Sequence, residues 1–255
     1  MEARVIFMRG SARFTISLII GASAVNAENE RGYEESKNIW FSYFGDHSFA
    51  RRWDLHVEGQ WRQHSGLSQP QQLLLRSGLN YHVSKAVQVS GYCTYLRGSR
   101  YGTMPSNLGA TSEHRRLEQI IVNHRVRKLA LQHRASFESL WISVLALRSG
   151  DAMRVGWQYR NRYRQWLRVT WPIGDGRRYR VCYDEIWLNV APVVAPNLFD
   201  QDRAYGRLGW RFGEHERFEV GSMYQLQPHR KNPIRKSNLT FSLNLYSKPA
   251  AEALT

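Results

Sequence analysis

Residues 52–62 alternate without exception: Trp53, Leu55, Val57, Gly59 and Trp61 share one face, and Arg52, Asp54, His56, Glu58, Gln60 and Arg62 share the other. A period of two is the repeat of an extended strand, whose successive side chains point to opposite sides, and it excludes a helix here. The pattern returns along the whole chain. Leu73, Leu75, Leu79, Tyr81 and Val83 oppose Gln72, Arg76, Asn80 and His82, with Leu74 intruding on the polar face. Val87, Val89, Gly91, Cys93 and Tyr95 alternate with Gln88, Ser90, Tyr92 and Thr94, and Leu239, Phe241, Leu243 and Leu245 with Asn238, Thr240, Ser242 and Asn244. The run at 116–124 is less regular. Within 179–190 the apolar residues change phase at Asp184-Glu185, which one inserted residue, a β-bulge, would explain. Counting the weaker run 38–44, there are eleven strand candidates.

The connections carry as much information as the strands. Short links (Ser84-Lys85, Gly174-Asp175-Gly176, Gly213-Glu214-His215) take turns with long polar ones at 64–69, 97–112, 143–152, 191–201 and 228–236. Short turns at one end and long loops at the other describe an outer-membrane barrel, with periplasmic turns and extracellular loops. An antiparallel ring with both termini in the periplasm needs an even number of strands. The expected fold is therefore all-β, a single antiparallel transmembrane β-barrel of about twelve strands, with ten as the alternative.

The N-terminus points to export. Arg4, Arg9 and Arg13 flank an apolar run at 14–25, shorter than the roughly 20 residues of a spanning helix, and Val25 and Ala27 put small residues at the positions a signal peptidase reads. Cleavage after Ala27 removes three Arg and one Glu and lowers the formal charge from +15 to +13. The expected organisation is a signal peptide at 1–27, a lead-in at 28–37, the barrel at 38–246 and a tail at 247–255, with Tyr246 closing the last strand.

The polar faces are rich in one residue type: thirteen Arg (52, 62, 76, 116, 134, 160, 162, 164, 168, 180, 203, 207 and 211) against seven acids (Asp54, Glu58, Glu118, Glu138, Asp184, Glu185 and Glu219). Arginine suits a confined interior, because its planar fork pairs with carboxylates bidentately and stays charged. The candidate lumen residues are Arg62, Arg76, Arg134, Arg160, Arg162, Arg164, Arg203 and Arg207, with Glu58, Glu118, Glu138 and Glu185 as counter-charges. Such a ladder either fills a narrow lumen as cross-links or lines a pore that favours small anions. Trp53, Trp61, Tyr81, Tyr95, Tyr163, Trp171, Tyr179, Trp210 and Tyr224 read as bilayer-interface aromatics. Outer-membrane lipid is the implied surroundings, and the basic segment His229, Arg230, Lys231, Arg235 and Lys236 could meet lipopolysaccharide phosphates.

Other classes find less support. A secreted soluble β-barrel or sandwich that binds a small ligand shares the alternation but puts the apolar face inside. A lipid hydrolase needs a Ser beside a His, and His133 with Ser139 is the best pairing available. Nine His without metal spacing imply no metal or other cofactor. Cys93 and Cys182 read as lying on opposite faces, which argues against a disulfide. Nucleic acid is excluded as a partner by export and by the absence of one exposed basic patch.

The strings 71–81 (QQLLLRSGLNY), Gly91-Tyr92, Glu113-His114-Arg115, Leu131-Gln132-His133-Arg134, 184–189 (DEIWLN), 199–203 (FDQDR) and 221–225 (GSMYQ) together resemble an uncharacterised bacterial family of predicted outer-membrane β-barrels, a domain of unknown function. The resemblance spans nearly the whole mature chain. It implies the barrel fold, the outer membrane and passage through the barrel assembly machinery, and no catalytic or ligand residues. Barrels of that kind end on an aromatic residue, whereas here residues 247–255 follow Tyr246.

Overall fold

The computed structural model describes residues 33–102, 108–190, 198–213, 216–228 and 233–247. The expected signal peptide, most of the tail and residues 229–232 of the basic segment lie outside the described residues. Eleven strands follow one another: β1 (Tyr33–Ala50), β2 (Trp53–His64), β3 (Gln69–His82), β4 (Val87–Gly98), β5 (Thr111–Val126), β6 (Leu129–Arg148), β7 (Asp151–Ile173), β8 (Arg178–Val190), β9 (Phe199–Phe212), β10 (Glu216–Pro228) and β11 (Pro233–Ser247). Each pairs antiparallel with its neighbours in sequence, and β1 closes the barrel on β11. That closing pair is parallel, with Trp40 opposite Ser242 and Phe44 opposite Tyr246. The even-number requirement holds only for a ring that is antiparallel throughout. One parallel seam lifts it, so all eleven strand candidates stand and the count falls between the ten and twelve expected.

Connection lengths sort between the barrel's two ends only in part, against the alternation expected from the sequence. At the rim where β11 ends, the links are residues 51–52, 83–86, 127–128, 174–177 and 213–215. At the other rim they are 65–68, 99–110, 149–150, 191–198 and 229–232, of which only 99–110 and 191–198 are long. The expected polar loop at 143–152 is instead strand. β6 and β7 extend to Arg148 and from Asp151, joined by Ser149 (φ 51°) and Gly150 (φ 90°), a left-handed pair that matches the twist of a two-residue hairpin. This hairpin, with strands of 20 and 23 residues, is the longest in the barrel.

The alternation sorts inside from outside. On β2, Trp53, Leu55, Val57 and Trp61 are exposed on the exterior while Asp54, His56, Glu58 and Arg62 are buried in the interior. On β3 the contrast lies between neighbours: Leu75 and Leu79 are 50% and 43% exposed, whereas Leu74 is 3% exposed and points inward with Arg76. A soluble sheet would bury the first set. An apolar exterior around a polar interior is the arrangement of a barrel whose outer wall meets lipid. Interior glycines make room for rings: a Cβ on Gly78 would lie 2.1 Å from the Gly91 carbonyl oxygen and 2.6 Å from the Tyr92 ring.

Candidate functional site

Four of the buried carboxylates, Glu58, Glu138, Glu185 and Glu219, organise the interior, each bonded to basic or hydroxyl groups from neighbouring strands. Glu138 on β6 is fully buried and accepts from Arg162 Nε at 2.8 Å, Arg162 Nη2 at 2.5 Å and Arg164 Nη1 at 2.6 Å. Arg162 reaches on to Asp200 at 3.1 Å. Glu185 on β8 accepts from Arg134 at 3.0 Å and from Arg164 Nε at 3.0 Å. Glu219 on β10 takes Arg168, Arg207 at 3.4 Å, the Tyr179 hydroxyl at 3.0 Å and the Tyr246 hydroxyl at 3.2 Å. Glu58 on β2 pairs with Arg76 at 2.7 Å. Charge-assisted bonds of this kind are about twice as strong as neutral ones, and they satisfy carboxylates that burial alone would penalise.

Two arginines are held differently. Arg62 donates to Gln60 Oε1 at 3.0 Å and to Gln72, and its guanidinium lies 4.0 Å from the Trp40 ring centre. Arg203 lies 4.3 Å from the Trp187 ring and 5.7 Å from Trp40, and Gln201, in the amide orientation that satisfies both its atoms, accepts from Nη2 at 2.9 Å. Among the described residues neither forms an ion pair with a carboxylate. Amide oxygens and indole faces orient a guanidinium without cancelling its charge. Trp187 also lies within 4.3 Å of Arg162 and Arg164.

One cavity of ≈ 1240 Å³ occupies the interior, lined from Lys85 and Arg125 near one rim to Ser99 and Tyr101 near the other. Thirteen arginines and Lys85 line it against five carboxylates, Asp46, Glu58, Glu113, Glu185 and Asp200. All eight arginines nominated from sequence, Arg62, Arg76, Arg134, Arg160, Arg162, Arg164, Arg203 and Arg207, face it. Glu58 and Glu185 line it too, and Glu138 lies buried against Arg162 and Arg164.

Glu118 does not belong to this set. It is exposed on the outer wall, opposite Gly91 and Phe137, and Arg116 is outside with it. On β5 the inward residues are Arg115, Leu117 and Gln119, one position out of phase with the expected charges. Arg115 bonds Glu113, an interior pair that sequence reasoning missed because both faces of this strand mix charged and apolar residues.

The bulge expected at Asp184-Glu185 is absent. β8 pairs with β7 in unbroken register, and Tyr179, Val181, Tyr183, Glu185, Trp187 and Asn189 all point inward while Arg180 and Asp184 point out. The apparent phase change arises because the apolar Tyr179, Val181 and Tyr183 line the interior while the apolar Ile186 and Leu188 face outward. Tyr179, expected at the bilayer interface, is 1% exposed and bonds Glu219 instead. Cys93 and Cys182 are both exposed on the exterior, on β4 and β8, rather than on opposite faces. His133 and Ser139 stand six residues apart on β6, about 20 Å along an extended strand. His133 stacks on His124, and Ser139 bonds Asn161 and Tyr159, so the two form no nucleophile and base pair.

A closed barrel with an apolar outer wall and a charged, hollow interior defines a membrane-spanning β-barrel protein. Within that class the chain belongs to the family described as Protein of unknown function (DUF2490), whose pattern matches residues 37–236. No curated protein matches the chain. Among solved structures it is similar to the NanC porin in a rhombohedral crystal form, at 9% identity over 83% of this chain and 95% of that one, with a TM-score of 0.43. Likeness at that level bears on neither substrate nor mechanism.

Proposed function

We propose that this protein is a channel of the bacterial outer membrane whose lumen favours small anions. The observation that carries the reading is the interior cavity lined from rim to rim, with fourteen cationic side chains against five carboxylates on its wall. A positive lumen of low dielectric concentrates anions and repels cations, and rings of arginine set that preference in pores. The signal-like N-terminus and the apolar outer wall support the outer membrane, with insertion by the barrel assembly machinery. The buried carboxylate hubs serve the structural half of the reading, holding the wall together while the excess arginines face the passage.

Substitution must separate selectivity from folding. Removing Arg162 or Arg164 leaves Glu138 or Glu185 short of a partner in a buried setting, so both functions change together. Arg62 and Arg203 have only neutral acceptors to leave behind. In planar bilayers under a KCl gradient, the wild-type protein is expected to give an anion-selective reversal potential. Arg62→Gln with Arg203→Gln is expected to move it toward zero while the unheated protein still migrates as a folded barrel. A cation-selective wild type overturns the anion preference, and a non-conducting one overturns the channel.

A further inference from the structure

Arg62 on β2 and Arg203 on β9 reach one ring from different strands, at 4.0 Å and 5.7 Å from the centre of Trp40. The acids beside them in the sheet are taken by other arginines. Glu185, opposite Arg203 on β8, pairs with Arg134 and Arg164, and Glu58, on the same strand as Arg62, pairs with Arg76. Two like charges held against one ring repel each other, and no carboxylate among the described residues offsets them. Their donors are only partly used. Arg62 bonds Gln60 through Nε and Nη2 and Gln72 through Nη1, and Arg203 bonds Gln201 through Nε and Nη2, so N–H groups remain on both guanidiniums, which line the cavity. A third donor lies beside them. The Trp187 side chain is 5% exposed and its indole N–H finds no acceptor among the described residues, while the Arg203 guanidinium lies 4.3 Å from its ring. The Trp40 indole, by contrast, donates to Gln71 Oε1 at 2.7 Å.

A buried donor without an acceptor and two cations without a counter-ion are completed by the same ligand, an oxyanion. Water would satisfy the indole and leave both charges uncompensated. A monocarboxylate brings a single charge, and its two oxygens match the fork of one guanidinium. Here the donors come from β2, β8 and β9, which favours oxygens spread in three dimensions. Phosphate supplies both properties, with close to two negative charges near neutral pH and strong acceptor oxygens at the corners of a tetrahedron. We infer that Arg62, Arg203 and Trp187 form a binding site for a tetrahedral dianion of the phosphate type, set in the lumen wall. The inference deepens the reading of the interior as an anion passage, and rests on it for the site's place in transport. It turns a general preference for anions into one saturable site. The amides of Gln60, Gln72 and Gln201 and the ring of Trp40 orient the two guanidiniums without competing for their charge.

The test is calorimetric titration of inorganic phosphate into the folded protein in detergent, slightly above neutral pH and at constant ionic strength in chloride, which reads binding whether or not the barrel conducts. One saturable site is expected, shared by sulfate. Perchlorate, tetrahedral with a single charge, and malonate, doubly charged without a tetrahedral group, should bind about tenfold more weakly or worse. Arg62→Gln and Arg203→Gln should each weaken phosphate by about tenfold or more, the worth of one charge-assisted bond. Trp187→Phe keeps the ring and removes only the N–H, and should weaken phosphate by several-fold. That variant carries the test if an arginine variant loses the heat-dependent mobility of a folded barrel. Arg116→Gln, on the outer wall, removes the same charge and should leave phosphate binding unchanged. Absence of saturable phosphate binding, equal binding of perchlorate or malonate, unchanged affinity in the lumen variants, or an equal loss in Arg116→Gln overturns the site. The two readings fail separately. An anion-selective reversal potential without phosphate binding removes the site and leaves the channel, whereas phosphate binding to a barrel that does not conduct removes the channel and leaves the site.

Discussion

Replacing Glu138 by Gln tests whether the interior ladder holds the barrel together. The side chain keeps its shape, so no cavity opens. Three hydrogen bonds between opposite charges, two from Arg162 and one from Arg164, lose their ionised acceptor, and one of the two accepting oxygens becomes an amide nitrogen. Bonds involving a charged group are worth about 1.5–3 kcal/mol, and passing from the ion–ion to the ion–neutral end of that range loses roughly 1 kcal/mol for each of the three bonds. The new amide N–H groups also face guanidinium donors. A total of about 3 kcal/mol follows, at the low end of the ~3–5 kcal/mol for breaking a buried ion pair, in keeping with a site beside a hydrated cavity. With a urea dependence of about 3 kcal/mol per molar, the unfolding midpoint falls by roughly 1 M. The assay is urea unfolding in detergent or lipid, followed by tryptophan emission and by mobility without heating. The same substitution removes a negative charge from the wall and should raise anion preference. An unchanged midpoint would refute the reasoning, because it would mean that the Glu138 charge contributes nothing net to the folded barrel.

Two further substitutions probe the wall and its packing. Leu79→Arg puts a charge on the lipid face at a cost of about 2–4 kcal/mol near the bilayer midplane, and should slow or block insertion into vesicles. Leu74→Gln, one strand position class away on the inner face, should insert normally, and the opposite ranking would turn the sheet inside out. Gly78→Ala drives a Cβ into the Gly91 carbonyl and the Tyr92 ring; overpacking of this kind costs about 1–3 kcal/mol, and the fraction of heat-shifted protein should drop.

Much of the architecture could be read from residue order alone because a membrane barrel repeats one rule on every strand. Trp53 to Arg62 obeys it, as does Leu73 to His82 apart from Leu74, and those strands lie where the alternation put them. The rule fails where one residue type serves both faces. Trp40, Trp166 and Trp187 are lumen residues because guanidiniums stack on their rings, whereas Trp53 and Trp61 are wall residues. Binary patterning treats all five alike. The same ambiguity hid the phase of β8 behind Tyr179, and on β5 it exchanged Arg115 for Arg116. The closing seam was illegible for another reason: whether the first and last strands run parallel depends on strands far apart in sequence, and no local pattern records it.

The carboxylate hubs do not merely connect neighbours. Arg162 spans from Glu138 on β6 to Asp200 on β9, Arg134 on β6 reaches Glu185 on β8, and Arg168 on β7 reaches Glu219 on β10. These are chords across the cross-section rather than links along its circumference. A hollow tube without chords flattens when squeezed from the side, but one braced this way resists becoming an ellipse. The bore of this barrel is thereby set by the lengths of its own side chains, and changes in bilayer tension or thickness should leave it nearly unaltered.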